Sequence, residues 1–433
     1  MCKLPISYDE AIDYLKKSPM FNLSLSSNEL FHSNFLYWIW KSNPDAFKKI
    51  INEFTDNDNW WRDNCEDKDI EVRREYKNFD LSIVKKTNSD VVILFVLENK
   101  VKSIPYAQQL IKYNAKIAED NKKKNKKKNE EIPCYKLLLS LSDTFPDIEV
   151  ENEKSLAGWK LKSYSDYVKI LSELNLKDNF NIYLEDYCKY VESLIVCVER
   201  WDRFPDLTED YNKQPFREYK YLTEAKELRM HVFYYKFNTA KLCCMLINKL
   251  SDKLSDKLSE KGNVQLQYFG KEDDSILLSD NNEYANYFHR YKDILVGVGY
   301  EYSNQGPILE VKVAKKTNTQ DERIFYIIQI QDEKYEHGII KMCERPALEG
   351  KIEGTEKYKN WVTNIPLRSS DPDIFSSDVL PQEYNGYNAT YSMVYKYRKL
   401  KDDVKDDATV ENVLNQIVSD VEELITQKLT TNN

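Results

Sequence analysis

The longest apolar stretch of the chain is Val91-Val92-Ile93-Leu94-Phe95-Val96-Leu97, apolar at consecutive positions, rich in β-branched residues and bounded by Asp90 and Glu98. A run apolar on both faces predicts a central strand covered on two sides. Just before it, Phe79–Lys85 alternates Phe79, Leu81 and Ile83 against Asp80, Ser82 and Val84, the period of a strand, and Thr87-Asn88-Ser89-Asp90 supplies turn chemistry. Asp69–Tyr76 reads as a further strand ahead of these, and Tyr135–Ser142 as another buried one. Leu30, Phe31, Asn34, Phe35, Trp38 and Ile39 recur near helical spacing, with Ser26, Ser27 and Asn28 offering cap oxygens, which predicts a helix over 26–41. Ile104-Pro105 introduces a second helix from Tyr106 to about Glu119. By residue 142 the order is helix, three strands, helix, strand, an α/β core.

A short strand over Trp159–Ser163 and helices to about Arg200 follow, and Phe204-Pro205-Asp206 marks a joint. This divides the chain into a 1–200 domain and a 201–433 region. In the latter, Phe216 to about Glu260 has helical character. Val264–Phe269, Ile294–Tyr302, Ile308–Ala314 and Ile324–Gln331 read as strands of an antiparallel sheet, and Ala408 to about Lys428 returns to helical periodicity. The expected C-terminal part is therefore α+β, and no motif in it converts to chemistry.

Composition narrows the classes. With 433 residues, 41% hydrophobic and 31% charged, the chain is long enough for two or three packed domains. No apolar run reaches membrane-spanning length and the N-terminus lacks a secretory apolar stretch, so the expectation is a cytoplasmic protein with no membrane partner. Eight Cys occur without a CxxC pair, which indicates neither a zinc site nor a disulfide framework. A formal net charge of −9 excludes coating of nucleic acid through overall charge, so any such contact is local. Six Lys between Lys122 and Lys128 form the densest basic run, and it reads as a solvated loop.

The chemistry concentrates where the buried strand ends. Glu98 and Lys100, two apart on a strand, project from one face. A hairpin turned near Thr87–Asp90 brings Asp80 level with Glu98. Two carboxylates and the backbone carbonyl of Asn99 are hard oxygen donors suited to Mg2+ or Mn2+, and such an ion activates water and shields charge on a phosphate. Lys100 is placed to orient that water or to stabilise the oxyanion.

Asn78-Phe79-Asp80 followed by Glu98-Asn99-Lys100 on this helix-strand-strand-strand-helix-strand frame resembles the PD-(D/E)XK nuclease superfamily, with Phe79 where the family name has proline. Three further stretches resemble a stand-alone subgroup: Glu29-Leu30-Phe31-His32-Ser33 in the first helix, Glu98–Ser103 as an extended catalytic strand, and Gln109-Leu110-Ile111-Lys112-Tyr113 as the QxxxY element of RecB-like exonucleases. The resemblance covers roughly residues 26–200. It implies a restriction-endonuclease-like core of αβββαβ order with a mixed sheet flanked by helices. It further implies metal binding by Asp80 and Glu98, catalytic assistance from Lys100, completion of the metal shell by Glu29, and positioning of nucleic acid by Gln109 and Tyr113. DNA is the favoured substrate, and a role in defence against foreign DNA is implied by likeness alone. The rival is a nucleic-acid-binding or partner-regulated protein that keeps the fold without cutting; a third reading makes the C-terminal part a module that binds a protein partner and recruits or restrains the nuclease, and the partners expected beside nucleic acid are such a protein or a second copy of the chain. His32 reads as a structural histidine and Glu75 as a partner of Arg73 or Arg74, each with a less favoured place at the metal.

Overall fold

The computed structural model describes residues 6–25, 29–65, 67–86, 91–105, 107–124, 133–142, 155–156, 158–174, 180–203, 220–259, 265–268, 287–291, 294–303, 306–315, 322–331, 334–343, 380–385, 391–399 and 409–426. The chain forms two compact units. The described residues up to Arg203, together with Lys220–Asn238, make the first, and those from Thr239 onward make the second.

In the first unit a sheet is assembled from β1 (Ile70–Tyr76), β2 (Phe79–Lys86), β3 (Val91–Lys100), β4 (Tyr135–Ser140), the two-residue β5 (Ser155–Leu156) and β6 (Trp159–Ser163). Its order is β1-β2-β3-β4-β6-β5. The first three strands form an antiparallel meander, whereas β3–β4 and β4–β6 are parallel, so the sheet is mixed. The helices flanking it are α1 (Tyr8–Lys17), α2 (Pro19–Ser24), α3 (Glu29–Ser42), α4 (Pro44–Phe54), α5 (Trp60–Asn64), α6 (Ala107–Lys124), α7 (Tyr164–Ser172) and α8 (Phe180–Trp201). The α/β core expected from the sequence is present, with α4 and α5 inserted between its first helix and first strand. α4 carries its own start signals: Asn43 Oδ1 accepts from the Ala46 N–H, Pro44 opens the helix, and Phe47, Ile50, Ile51 and Phe54 are buried.

β3 is the spine of the sheet, and its apolar residues are almost entirely enclosed. Its pairing with β2 is not uniform. Val84 pairs with Ile93 but Ile83 with Phe95, which leaves Leu94 as one extra residue in β3. From that bulge onward the register runs Ser82 to Val96 and Leu81 to Leu97, and the same register continued by one residue sets Asp80 level with Glu98. Without the extra residue Asp80 would face Leu97 and the two carboxylates would fall out of step, because a slip of one residue reverses the side chains of a strand. The same region is braced by Asn121 of α6, whose side-chain amide accepts from the Ile93 N–H at 3.2 Å and donates to the Ile93 carbonyl at 3.1 Å. Asn121 thus supplies ladder bonds at a position where β4, which first pairs at Phe95, does not reach. Asn121→Ala is expected to lower stability by roughly 2–3 kcal/mol, the cost of two buried backbone groups losing partners. Thermal unfolding checks this, and a melting temperature within a degree of the parent would remove Asn121 from that role.

α6 runs to Lys124, so Lys122–Lys124, expected in a loop, are helical. Anchoring of Asn121 on β3 carries the helix through its last turn, and residues 125–132, with the rest of that basic run, lie outside the described residues. The turn over 87–90, the cap residues 26–28 and the joint at 204–206 lie outside them too. The helical stretch expected over 216–260 is interrupted: α9 (Leu222–Glu227) ends at Leu228, Arg229 takes φ +53°, and α10 (His231–Ser259) begins afresh. The first part of α10 joins the first unit through Asn238, which donates to the Trp201 carbonyl and accepts from the Arg203 N–H.

The second unit contains an eight-stranded antiparallel sheet, ordered β13-β14-β12-β11-β10-β9-β8-β7. The four strands expected from the sequence are β7 (Gln265–Tyr268), β9 (Ile294–Ser303), β10 (Gly306–Lys315) and β11 (Glu322–Gln331). β8 (Tyr287–Tyr291), β12 (Lys334–Cys343), β13 (Leu380–Asn385) and β14 (Tyr391–Lys399) complete it. α11 (Val410–Thr426) packs near β10, where Leu309 and Val311 are buried. Among the described residues no helix is long and apolar enough to cross a membrane.

Candidate active site

The β1–β2 connection is a two-residue hairpin closed by the pair Tyr76–Phe79, with Lys77 at φ +58° and Asn78 at φ +71°. Positive φ at both central residues is the turn that matches strand twist, and Asn tolerates it well. The Tyr113 hydroxyl of α6 donates to the Asn78 carbonyl at 3.0 Å and fixes the turn from which β2 departs. Asp80, two residues later, accepts a hydrogen bond from the Asn99 backbone N–H at 2.6 Å. Its other side is β3, whose end carries Glu98, Asn99 and Lys100, all buried.

Glu98 is 3% exposed, and its two oxygens have different surroundings. Oε1 accepts from Lys100 Nζ at 2.9 Å and from Gln109 Nε2 at 2.8 Å. Oε2 is buried and has no hydrogen-bond partner. Gln109 also donates to the Tyr113 hydroxyl at 3.0 Å, so these two residues of α6, one turn apart, tie the end of β3 to the β1–β2 turn. Asn99 projects from the opposite face of β3 to its neighbours and accepts from the Tyr164 hydroxyl through Oδ1 at 3.1 Å. The middle residue of Glu98-Asn99-Lys100 therefore anchors α7 with its side chain and Asp80 with its N–H. That bridging role has no periodic signal in the sequence.

The electrostatics are those of like charges held together. Burial pushes the Asp80 carboxyl up to about 7, with the neighbouring Glu98 acting in the same direction and the Asn99 N–H and Lys100 against it. Burial also raises Glu98, opposed by Lys100. Burial works against the Lys100 ammonium, but the facing carboxylates of Glu98 and Glu29 outweigh it and hold Lys100 charged well above the usual lysine range. Two carboxylates meet one close ammonium, which leaves an excess of negative charge and an orphaned oxygen.

That donor set fits a hard divalent cation. The carboxylates of Asp80 and Glu98 are oxygen ligands of the right kind, and Glu98 Oε2 is a buried acceptor that no protein donor satisfies. Glu29, expected to complete the shell, accepts a hydrogen bond from the Ser103 hydroxyl through Oε1. Glu29 adds its negative charge to the same group, raising Asp80 and Glu98 and favouring the Lys100 ammonium, although among the described residues no three His, Cys, Asp or Glu side chains cluster as a metal site. Gln109 and Tyr113, expected to position nucleic acid, have their polar groups directed at Glu98 and the hairpin.

His32 is buried with Nδ1 2.7 Å from the Tyr187 hydroxyl and Nε2 3.3 Å from that of Tyr190. Burial pushes its pKa down to about 3, reinforced by the charge of Lys102, so it is a neutral core histidine. Glu75 is exposed at φ +51° and has neither of its expected roles as a ligand or a simple partner: Arg73 bonds Glu71 and Arg74 bonds Asn34. Lys102 and Ser103 were not distinguished by spacing. Both fall within the Glu98–Ser103 stretch that resembles an extended catalytic strand, which is the signal the sequence offers for them.

The model of the PD-(D/E)XK nuclease superfamily matches residues 20–189. The match begins within α2 and ends within α8, so it encloses Glu29, Asp80, Glu98, Lys100, Gln109 and Tyr113. No curated protein and no solved structure matches the chain.

Proposed function

We propose, from the membership of residues 20–189 in the PD-(D/E)XK nuclease superfamily, that this protein hydrolyses phosphodiester bonds of nucleic acid with the help of Mg2+ or Mn2+, DNA being the favoured substrate. The observation that carries the reading is Asp80 bonded to the Asn99 N–H, next to Glu98 with its buried and unsatisfied oxygen. A divalent cation bound there supplies positive charge to the phosphate and an acidified water for attack. Asp80 and Glu98 are the residues that would hold that cation. Lys100, kept protonated by its carboxylate neighbours, faces the charge that accumulates on the phosphoryl oxygens. Gln109 keeps Glu98 Oε1 oriented, and Tyr113 fixes the turn leading to Asp80, so both act as positioning residues. Defence against foreign DNA is the biological setting that the resemblance favours. The second unit offers no chemistry of its own to this reading, and we assign it to recruitment or restraint of the nuclease by a protein partner or a second copy.

The decisive assay incubates the full chain with plasmid and with single-stranded DNA in Mg2+, Mn2+ or EDTA, beside Glu98→Ala. Cleavage should require the metal and disappear in the variant. Cutting that survives EDTA or Glu98→Ala defeats the mechanism, while DNA binding without cutting under every metal condition favours the non-cleaving alternative.

A further inference from the structure

Leu97 is the last residue of β3 paired with β2 in the ladder, and past it the edge of β3 that faces β2 is held by a side chain: the Asn99 N–H goes to Asp80 Oδ2. On the other edge β3 stays tied to β4. Asn99 is level with Leu139 there, and the Lys100 carbonyl accepts from the Leu141 N–H at 2.8 Å. In a strand the N–H and C=O of one residue leave by the same edge. The conformation of Asn99 therefore directs both the donor that Asp80 uses and the carbonyl expected among the oxygen donors to a metal.

The Asn99 side chain is fully buried, and a single hydrogen bond orients it: Oδ1 accepts from the Tyr164 hydroxyl at 3.1 Å, whereas Nδ2 has no hydrogen-bond partner. Tyr164 is itself firmly placed. It is 1% exposed, opens α7 directly after Ser163, and meets the His32 ring edge-on at 5.2 Å. Ser163 is level with Ser140 of β4 and closes a capping box with Asp166, donating its N–H to Asp166 Oδ2 at 3.1 Å and accepting from the Asp166 N–H at 3.0 Å. We propose that Tyr164 is a positioning residue of the metal site: through the Asn99 side chain it holds the Asn99 backbone in the orientation that keeps the Asp80 carboxylate beside Glu98. Its consequence for a metal rests on the metal-dependent reading of the site, although the chain of hydrogen bonds from Tyr164 through Asn99 to Asp80 does not.

Tyr164→Phe removes the hydroxyl and keeps the ring. In EDTA, hydrogen exchange of the full chain, resolved to single amides by fragmentation mass spectrometry, should show the Asn99 N–H losing protection at least about tenfold while Phe95 and Leu97 keep theirs. Mn2+ titration of the substrate-free protein, followed by electron paramagnetic resonance of the free ion, should show binding weakened at least about fivefold, as when an outer partner of a metal ligand is lost. Asn99→Ala should reproduce both effects, and in that background Tyr164→Phe should change neither by more than about twofold. Tyr135→Phe deletes a hydroxyl bonded to the Phe54 carbonyl at the opposite end of β4 and controls for lost stability: it should melt lower and leave both readings at the parent's values. Unchanged protection at Asn99 would overturn the proposal, as would lost protection with the parent's Mn2+ affinity. An equal loss of Mn2+ affinity in the Asn99→Ala background would overturn it too, since the effect would then bypass Asn99. A parent that binds no Mn2+ would overturn the metal-dependent reading and the role at a metal site with it, even where lost protection at Asn99 leaves the hydrogen-bonded chain standing.

Discussion

Asp80→Asn is expected to abolish metal-dependent cleavage, by about a thousandfold or more, while making the metal-free protein harder to unfold. On the proposed function, the loss of activity follows from removing one of the two carboxylates that would hold the cation. The gain in stability follows from linkage. The folded-state pKa of Asp80 is about 7, above the value near 3.9 for an unfolded chain. Between those two values the folded protein binds the proton more tightly than the unfolded one. Metal-free stability therefore falls as pH rises from about 4 to about 7 and is flat above. At roughly 1.4 kcal/mol per unit, the penalty at pH 8 approaches about 4 kcal/mol as an upper bound. Asparagine keeps an oxygen for the Asn99 N–H and removes the charge, so variant and parent should differ little at pH 4 and by a few kcal/mol at pH 8. Urea denaturation in EDTA at several pH values measures this. A difference independent of pH would show that burial, with Glu98 beside it, does not raise the Asp80 carboxyl in the metal-free protein. Added Mg2+ should reverse the order of stability, because only the parent retains the full site.

Lys100→Met should be costly in both respects. The ammonium is buried against Glu98 Oε1, and breaking such a pair from one side costs about 3–5 kcal/mol because the remaining charge stays enclosed. The cost should shrink as pH is lowered, since Glu98 is already raised by burial and protonation relieves its isolation. The sign is opposite to acid destabilisation of an exposed ion pair, which separates the two. Cleavage should fall by about two to four orders of magnitude even under conditions where the variant is fully folded, as expected when a charge aimed at the developing oxyanion is lost. Circular dichroism and initial rates on the same preparation check this, and a loss smaller than tenfold would take Lys100 out of the reaction.

The two predictions depend on different parts of the fold, and these were not equally visible beforehand. Strand β3 was plain from its composition, and Glu98 and Lys100 were plain because a strand alternates. The helix that carries Gln109 and Tyr113 followed from the proline before it and from resemblance. Less visible was what those side chains touch. Gln109 turns to Glu98 and Tyr113 to the Asn78 carbonyl, contacts across 11 and 35 residues that no local pattern encodes. α4 was legible in its Asn43-Pro44 start, whereas β12, with Gly338 and charged residues along its length, becomes a strand because β11 and β14 flank it. Glu29 shows the limit most clearly. Its place in the first turn of a helix is a local fact, but the hydroxyl that its Oε1 accepts from, that of Ser103, lies 74 residues away.

By itself the sequence determined the mixed α/β order of the first unit, the buried strand and the carboxylates and lysine at its end, because these depend on the apolar period and on covalent alternation. Tertiary structure decided the register. The extra residue at Leu94 lies in a stretch apolar at every position, so no change in alternation marks it, yet it brings Asp80 level with Glu98. Pairing with β2 and bracing by Asn121 select that bulge, and both involve hydrogen bonds between segments far apart in the chain.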